Sequence, residues 1–209
     1  GCRAVTHGEN RLTPRPSASH VVQDQEEVLD FLAASSTHGL RPEVVRIDTH
    51  GAAVFLAGED VYKVKRAVKF PFMDYSTLEK RREACEAEVR INRVTAPTLY
   101  LGVIPVVRRA ATLFLGGAGE IVEWVVHMRR FDERQTCDCI ADRGELTPLL
   151  IEQMADAVVN SQMSAMVHQG IDFAAGLRGV IDGNHGGLDE SPELFRPARV
   201  DELTSRSRA

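Results

Sequence analysis

The sequence predicts an α+β fold, an antiparallel sheet followed by helices, and three observations predict it. Short apolar runs between Val44 and Val68 are separated by brief turns, too short for a crossover helix, so these strands pair antiparallel. The stretch from Ser76 to Asn92 opens on a Ser-x-x-Glu signal and continues with apolar residues at helical spacing. From Thr147 onward the pattern is helical and opens on Thr-Pro, an N-cap followed by proline at the first helical position.

Composition bounds the function. Among 209 residues, 44% are hydrophobic and 26% charged, values of a globular core rather than a disordered chain. The net charge of −5 speaks against nucleic acid or an anionic membrane as the main partner, and no apolar run is long enough to cross a bilayer. Residues 1–21 are polar, Pro-punctuated and lack a signal-peptide core, so they read as a loose leader. The chain opens on Gly rather than Met, which reads as an incomplete frame. Cys2, Cys85, Cys137 and Cys139 form no visible paired framework, which fits a reducing cytoplasm. Cys137-x-Cys139 is too tight for zinc-knuckle spacing and reads as two thiols on a loop or short helix.

In chain order, Gln23–Ser35 has an acidic first turn and an amphipathic apolar pattern, a helix broken by Gly39–Pro42. Val44–Asp48, Ala52–Ala57 and Val61–Val68 follow as strands, with Thr49-His50-Gly51 and Gly58-Glu59-Asp60 as their turns. Within the helix after Ser76, expected as N-cap, Leu78, Cys85 and Val89 fall in one stripe and should be buried. Lys80, Arg81 and Arg82 read as a solvated basic turn, and Glu86 as the partner of Arg90. Leu99–Val107 is a strand bent at Gly102. Leu113–Leu115 and Ile121–Met128 flank Gly116-Gly117-Ala118-Gly119 and read as a hairpin. No Lys-Ser/Thr follows that glycine cluster and no helix starts there, so it is not a phosphate loop. Val122, Trp124, Val126 and Met128 are expected on one face. The helix from Thr147 to about Gln169 carries Leu150, Met154, Val158 and Met166 for core packing. Gly176–Gly187 reads as turns, and Pro192–Ala209 as polar with a short helical look.

The candidate site lies where the third strand meets the helix. Alternation puts Val61, Lys63 and Lys65 on one face and Tyr62, Val64 and Arg66 on the other. Solvated lysines on an edge strand are the plain reading. In kinase-like pockets, however, the phosphate-binding lysine follows by two residues a small apolar residue that lies against the adenine. Val61-x-Lys63 satisfies this, with Lys65 in reserve, because the adenine-facing position before Lys65 is itself a lysine. Glu88 lies on the flank of the buried stripe, placed to meet a lysine from the sheet, although pairing with Arg81 or Asn92 is open to it. Gly51 is the permissive residue of the first turn, where a phosphate can approach or where a hairpin needs no ligand at all. The strand ending at Met128-Arg129 serves as a connector whose backbone meets an adenine edge.

The stretches IDTHGAAVFL, VYKVKRAVKFPFMDYSTLEKRR, EVRINRVTAPTLYLGV, EWVVHMRRFDE and GLRGVIDGN, spread over Val22–Ala209, resemble bacterial aminoglycoside-phosphotransferase-like proteins of the bifunctional kind. The resemblance implies a protein-kinase-like N-lobe over residues 22–131, an incomplete helical lobe over 132–209, and ATP as the bound nucleotide. It also implies a small-molecule or protein phosphate acceptor and a C-terminal ATPase half beyond this chain. Mg belongs only to a full-length protein. The family's His-Gly-Asp-Leu-His loop, its Asn and its metal-binding Asp have no counterpart. His185-Gly186-Gly187-Leu188-Asp189 has glycine where that loop has aspartate, and the sequence ends short of where the loop should begin. The expectation is an N-terminal part of a kinase-like phosphotransferase that binds ATP at most. The alternative is a non-catalytic nucleotide-sensing or protein-interaction module.

Overall fold

The computed structural model describes residues 20–70, 72–165, 170 and 172–208. The chain divides into two compact units, one ending at Ser164 and the other beginning at Ala165. The α+β class holds. Among the described residues, the first unit is built on a six-stranded antiparallel sheet. Its strands are β1 (Val45–Asp48), β2 (Ala52–Ala57), β3 (Asp60–Lys65), β6 (Tyr100–Arg109), β7 (Thr112–Leu115) and β8 (Glu120–Arg129). Their spatial order is β1-β2-β3-β8-β6-β7. A separate small hairpin pairs β4 (Lys69–Phe70) with β5 (Met73–Asp74).

Two helices cover the sheet. α1 (Glu26–Ala33) presents Val28, Leu29 and Leu32 to a cluster that includes Phe55, Val64 and Val125. α2 (Leu78–Asn92) sets Cys85 and Val89 against Val126, with Val103, Trp124 and Met128 beside them. The two clusters draw on alternate residues of the strands, Val125 in one and Val126 in the other, as a sheet covered on both faces requires.

Several expectations need correction. The third strand ends at Lys65 rather than Val68, because Val22 N–H donates to Ala67 O and Val21 bridges Val68, drawing the chain off toward its N-terminal segment. β7 and β8 are not a hairpin. Each pairs with β6, on opposite sides, so the glycine loop crosses the end of β6. That crossing explains the glycines: Gly116 and Gly117 take φ of 74° and 82°, and a Cβ at Gly119 would lie 2.8 Å from Arg108 O. A register shift opposite Val106/Val107 sends Val122 to the α1 side, away from Trp124, Val126 and Met128. The bend at Gly102 is a second register shift, between Tyr100 and Gly102.

The short helix α3 (Cys137–Asp142) carries both close cysteines, with Cys137 an exposed free thiol and Cys85 a buried one. Cys139 is bonded rather than free, so the reading of wholly unpaired thiols fails there. α4 (Pro148–Ser164) starts as expected, with Leu150 N–H donating to Thr147 Oγ1 at 3.2 Å. Its apolar side is not core: Met154 and Val158 are exposed, and Met166 lies outside the described residues.

In the second unit, the glycine-rich stretch is no run of turns. α5 (Phe173–Asp189) passes through Gly176, Gly179, Gly183, Gly186 and Gly187, and is capped by Asp172, whose side chain accepts from Ala175 N–H. It packs with α6 (Pro197–Arg208). Apart from the helix's own backbone and the adjoining residues, no atom of the described residues lies within 4 Å of a Cβ placed at those five glycines. Among the described residues, no helix is long and apolar enough to cross a membrane.

Candidate functional site

The site forms where α2 crosses the face of β3. Lys63 and Lys65 project from that face because successive strand residues alternate, and Glu88 descends on them from the helix. Lys63 Nζ donates to Glu88 Oε1 at 2.8 Å, and Lys65 Nζ donates to Glu88 Oε2, so one carboxylate receives a lysine on each oxygen. Glu88 was the helix carboxylate expected to meet the sheet, and it pairs with neither Arg81 nor the Asn92 side chain. Asn92 Nδ2 donates instead to the Glu88 main-chain oxygen at 2.8 Å.

The lysines differ in exposure. The Lys63 side chain keeps 28% of its surface in solvent, against 9% for Lys65 and 11% for Glu88. Lys63 lies between Val54 and Val126 on the neighbouring strands. Lys65 has its amine 5.4 Å from the centre of the Tyr75 ring, and its carbonyl accepts from Gln25 at 3.0 Å. Burial would raise the Glu88 carboxyl, but the hydrogen bonds from Lys63 and Lys65 outweigh it and hold it below the ordinary value. Burial likewise opposes charge on Lys65, and the bond and field of Glu88 lift its amine above the usual lysine value. Glu88 and Lys65 are therefore both charged across the neutral range.

The other predicted residues surround this pair. Val61, buried on the same face two residues before Lys63, pairs across strands with Met128. Met128 and Arg129 end β8. The Arg129 N–H already donates to Leu99 O, and the Arg130 N–H to Glu59 O, so those two donors are engaged within the fold. Gly51 caps the turn beside Lys65, its carbonyl accepting from Arg66 N–H at 2.9 Å. The space beside it is taken: a Cβ there would lie 2.8 Å from the Met73 sulfur.

Three features of α2 differ from the sequence expectation. Its N-cap is Thr77, whose hydroxyl accepts from Lys80 N–H, one residue after the expected Ser76. Glu79 and Glu86 both pair with Arg82, so Glu86 meets the preceding turn rather than Arg90. More consequential is Arg81, wholly buried rather than solvated, with Nε donating to Glu123 at 2.9 and 3.0 Å. Its remaining nitrogens reach Tyr75 O and Gln23 Oε1, and Gln25 Nε2 donates to Glu123 at 2.7 Å. Arg81 falls one turn before Cys85 on the buried stripe, which was the available signal; its charge argued the other way.

Elsewhere, an open groove of about 700 Å³ lies between α1 and the β6–β7 edge, lined by Phe31, Thr37, Arg109, Leu113 and Leu115 among others. It touches none of Lys63, Lys65 and Glu88. His185 ties α5 to α6, with Nδ1 3.0 Å from Thr204 Oγ1 and Nε2 3.1 Å from Asp189. Among the described residues, no group of three or more His, Cys, Asp or Glu side chains is placed to hold a metal ion.

With this geometry in hand, comparison with known proteins adds a distant relationship. The chain is 32% identical over 122 residues to uncharacterized proteins of Mycobacterium tuberculosis and Mycobacterium bovis. The match covers 58% of this chain and 22% of each relative, so the chain corresponds to about a fifth of those proteins. Neither a protein-family model nor a solved structure matches it.

Proposed function

We propose that the sheet and α2 form the ATP-holding lobe of a kinase-like phosphotransferase, related to the aminoglycoside-phosphotransferase-like proteins that the sequence resembles. The observation that carries the reading is Glu88 gripping the lysines of β3. A helix carboxylate that fixes an amine on an antiparallel sheet is the arrangement by which kinase-like lobes orient a lysine toward α- and β-phosphate oxygens. Lys63, the more open of the two amines, takes that role. Val61 and Met128, paired across β3 and β8, offer an apolar floor for the base. The exposed Arg129 side chain adds positive charge at the end of β8.

Phosphoryl transfer, its acceptor and any magnesium belong to the proposal for a longer protein, since this chain offers a nucleotide lysine without the aspartates and asparagine that such chemistry uses. One observation favours the second reading, a nucleotide-sensing or interaction module that does not catalyse. The Met73 side chain fills the space beside Gly51 where a phosphate would approach.

Calorimetric titration with ATP tests the reading. The expected outcome is saturable binding that weakens about tenfold or more in Lys63→Ala, because hydrogen bonds to charged groups contribute about 1.5–3 kcal/mol. Binding that ignores the substitution contradicts the role of Lys63. Absence of binding contradicts the nucleotide assignment.

A further inference from the structure

The two lysines on Glu88 are not equivalent, and the geometry points to a division of labour: Lys65 is the fixed counter-charge that keeps Glu88 in place, and Lys63 is the exchangeable amine that leaves the carboxylate for a phosphate. This inference rests on the nucleotide reading above and goes beyond it, since that reading requires only one lysine.

The argument begins with the carboxylate. A largely enclosed Glu88, 11% exposed, whose only cation departed for a ligand would be left charged and unpaired, a costly state. With a lysine on each oxygen, one can go while the other stays. Which one goes follows from their surroundings. Lys65 is enclosed, its side chain 9% exposed, its amine above Tyr75 and its backbone held by Gln25. Lys63 has 28% of its side chain in solvent and only apolar cross-strand neighbours, so no second acceptor from those strands competes for its amine. Lys63 can therefore turn to an incoming oxyanion by changing rotamers, whereas moving Lys65 would strip a cation from an enclosed site. Lys65 is thus a positioning residue and does not itself touch the ligand.

Amine acetylation of the whole chain, read lysine by lysine by mass spectrometry, tests this. Without nucleotide, Lys65 should react roughly tenfold slower than Lys63, the difference that about 1.4 kcal/mol of protection makes in a rate. Saturating ATP should then slow Lys63 several-fold and leave Lys65 unchanged. In Lys65→Met, with folding checked by circular dichroism, the full charge of Glu88 falls on Lys63, whose acetylation should slow even without nucleotide. General loosening of the fold would instead speed it. Lys65→Arg should restore the wild-type pattern at Lys63.

Equal reactivity of the two lysines without nucleotide, or protection of Lys65 rather than Lys63 by ATP, overturns the division of labour while leaving the nucleotide reading intact. Faster Lys63 acetylation in Lys65→Met overturns it as well. If calorimetry detects no ATP binding, the nucleotide reading fails and the exchange fails with it.

Discussion

Two ion pairs on one helix face make the most informative comparison in this molecule. Arg81 and Glu88 lie seven residues apart on α2, two turns along the same side, and each meets an opposite charge from the sheet. The Arg81–Glu123 pair is sealed, at 0% and 1% side-chain exposure, and bonded all round by Gln23, Gln25, Tyr75 and the Trp124 N–H. The Glu88 pair is open on one side, where Lys63 meets solvent. A sealed, fully satisfied pair fixes how the helix sits and has nothing left to offer a ligand. An open pair with a spare cation can exchange partners. Burial and completeness of bonding, more than the presence of charge, separate the structural pair from the candidate functional one.

The largest expected effect breaks the sealed pair. Arg81→Ala leaves Glu123 charged and buried, and should cost about 3–5 kcal/mol in denaturant unfolding. Cys85 lies between the two pairs, its thiol pushed up to about 12, mainly by burial, so it should resist alkylation in the native protein while the exposed Cys137 reacts. In Arg81→Ala, Cys85 should become reactive; a Cys85 that stays inert at native stability would show that Arg81 does not hold α2 in place.

A smaller effect is expected at the open pair. Glu88→Gln should cost about 1–3 kcal/mol, because two lysines lose the charged end of their hydrogen bonds. Its pH dependence has a definite sign. The folded-state carboxyl lies below its ordinary 4.5, so its contribution is complete above that pH and is lost as pH falls through the lower folded value. Lys65 is raised above 10.5, so its contribution is complete below that pH and is lost as pH rises through the higher folded value. Glu88→Gln should flatten both limbs of the stability profile, and an unchanged acid limb would show that the carboxylate is not held by the lysines. The smallest effect is expected from Lys63→Ala, less than about 1 kcal/mol in thermal or denaturant unfolding, since a partly exposed amine leaves Glu88 still paired with Lys65.

The contrast between the pairs also explains what could be read from the sequence. Strand alternation in VYKVK fixed the shared face of Lys63 and Lys65, and helical phase put Glu88 over it, because both periodicities are local properties of the backbone. The burial of Arg81 was hidden in the run Lys80-Arg81-Arg82, which resembles a solvated turn. Only the acid it meets, Glu123, 42 residues further along, makes burial affordable. Residue composition misled in the same way at Gly176–Gly187, where five glycines argue for turns and the chain forms a helix. The glycine loop at 116–119 was legible as a turn, but its crossing of β6 depends on long-range strand order that no local pattern encodes.

Hydrogen–deuterium exchange with and without ATP tests the central claim most directly, because it reports where the ligand acts without a substitution. The account predicts added protection in β3 around Val61–Lys65 and in α2 around Glu88, with α1 and the β6–β7 edge unchanged. Protection confined to the groove between α1 and that edge, with β3 and α2 indifferent to ATP, would contradict it.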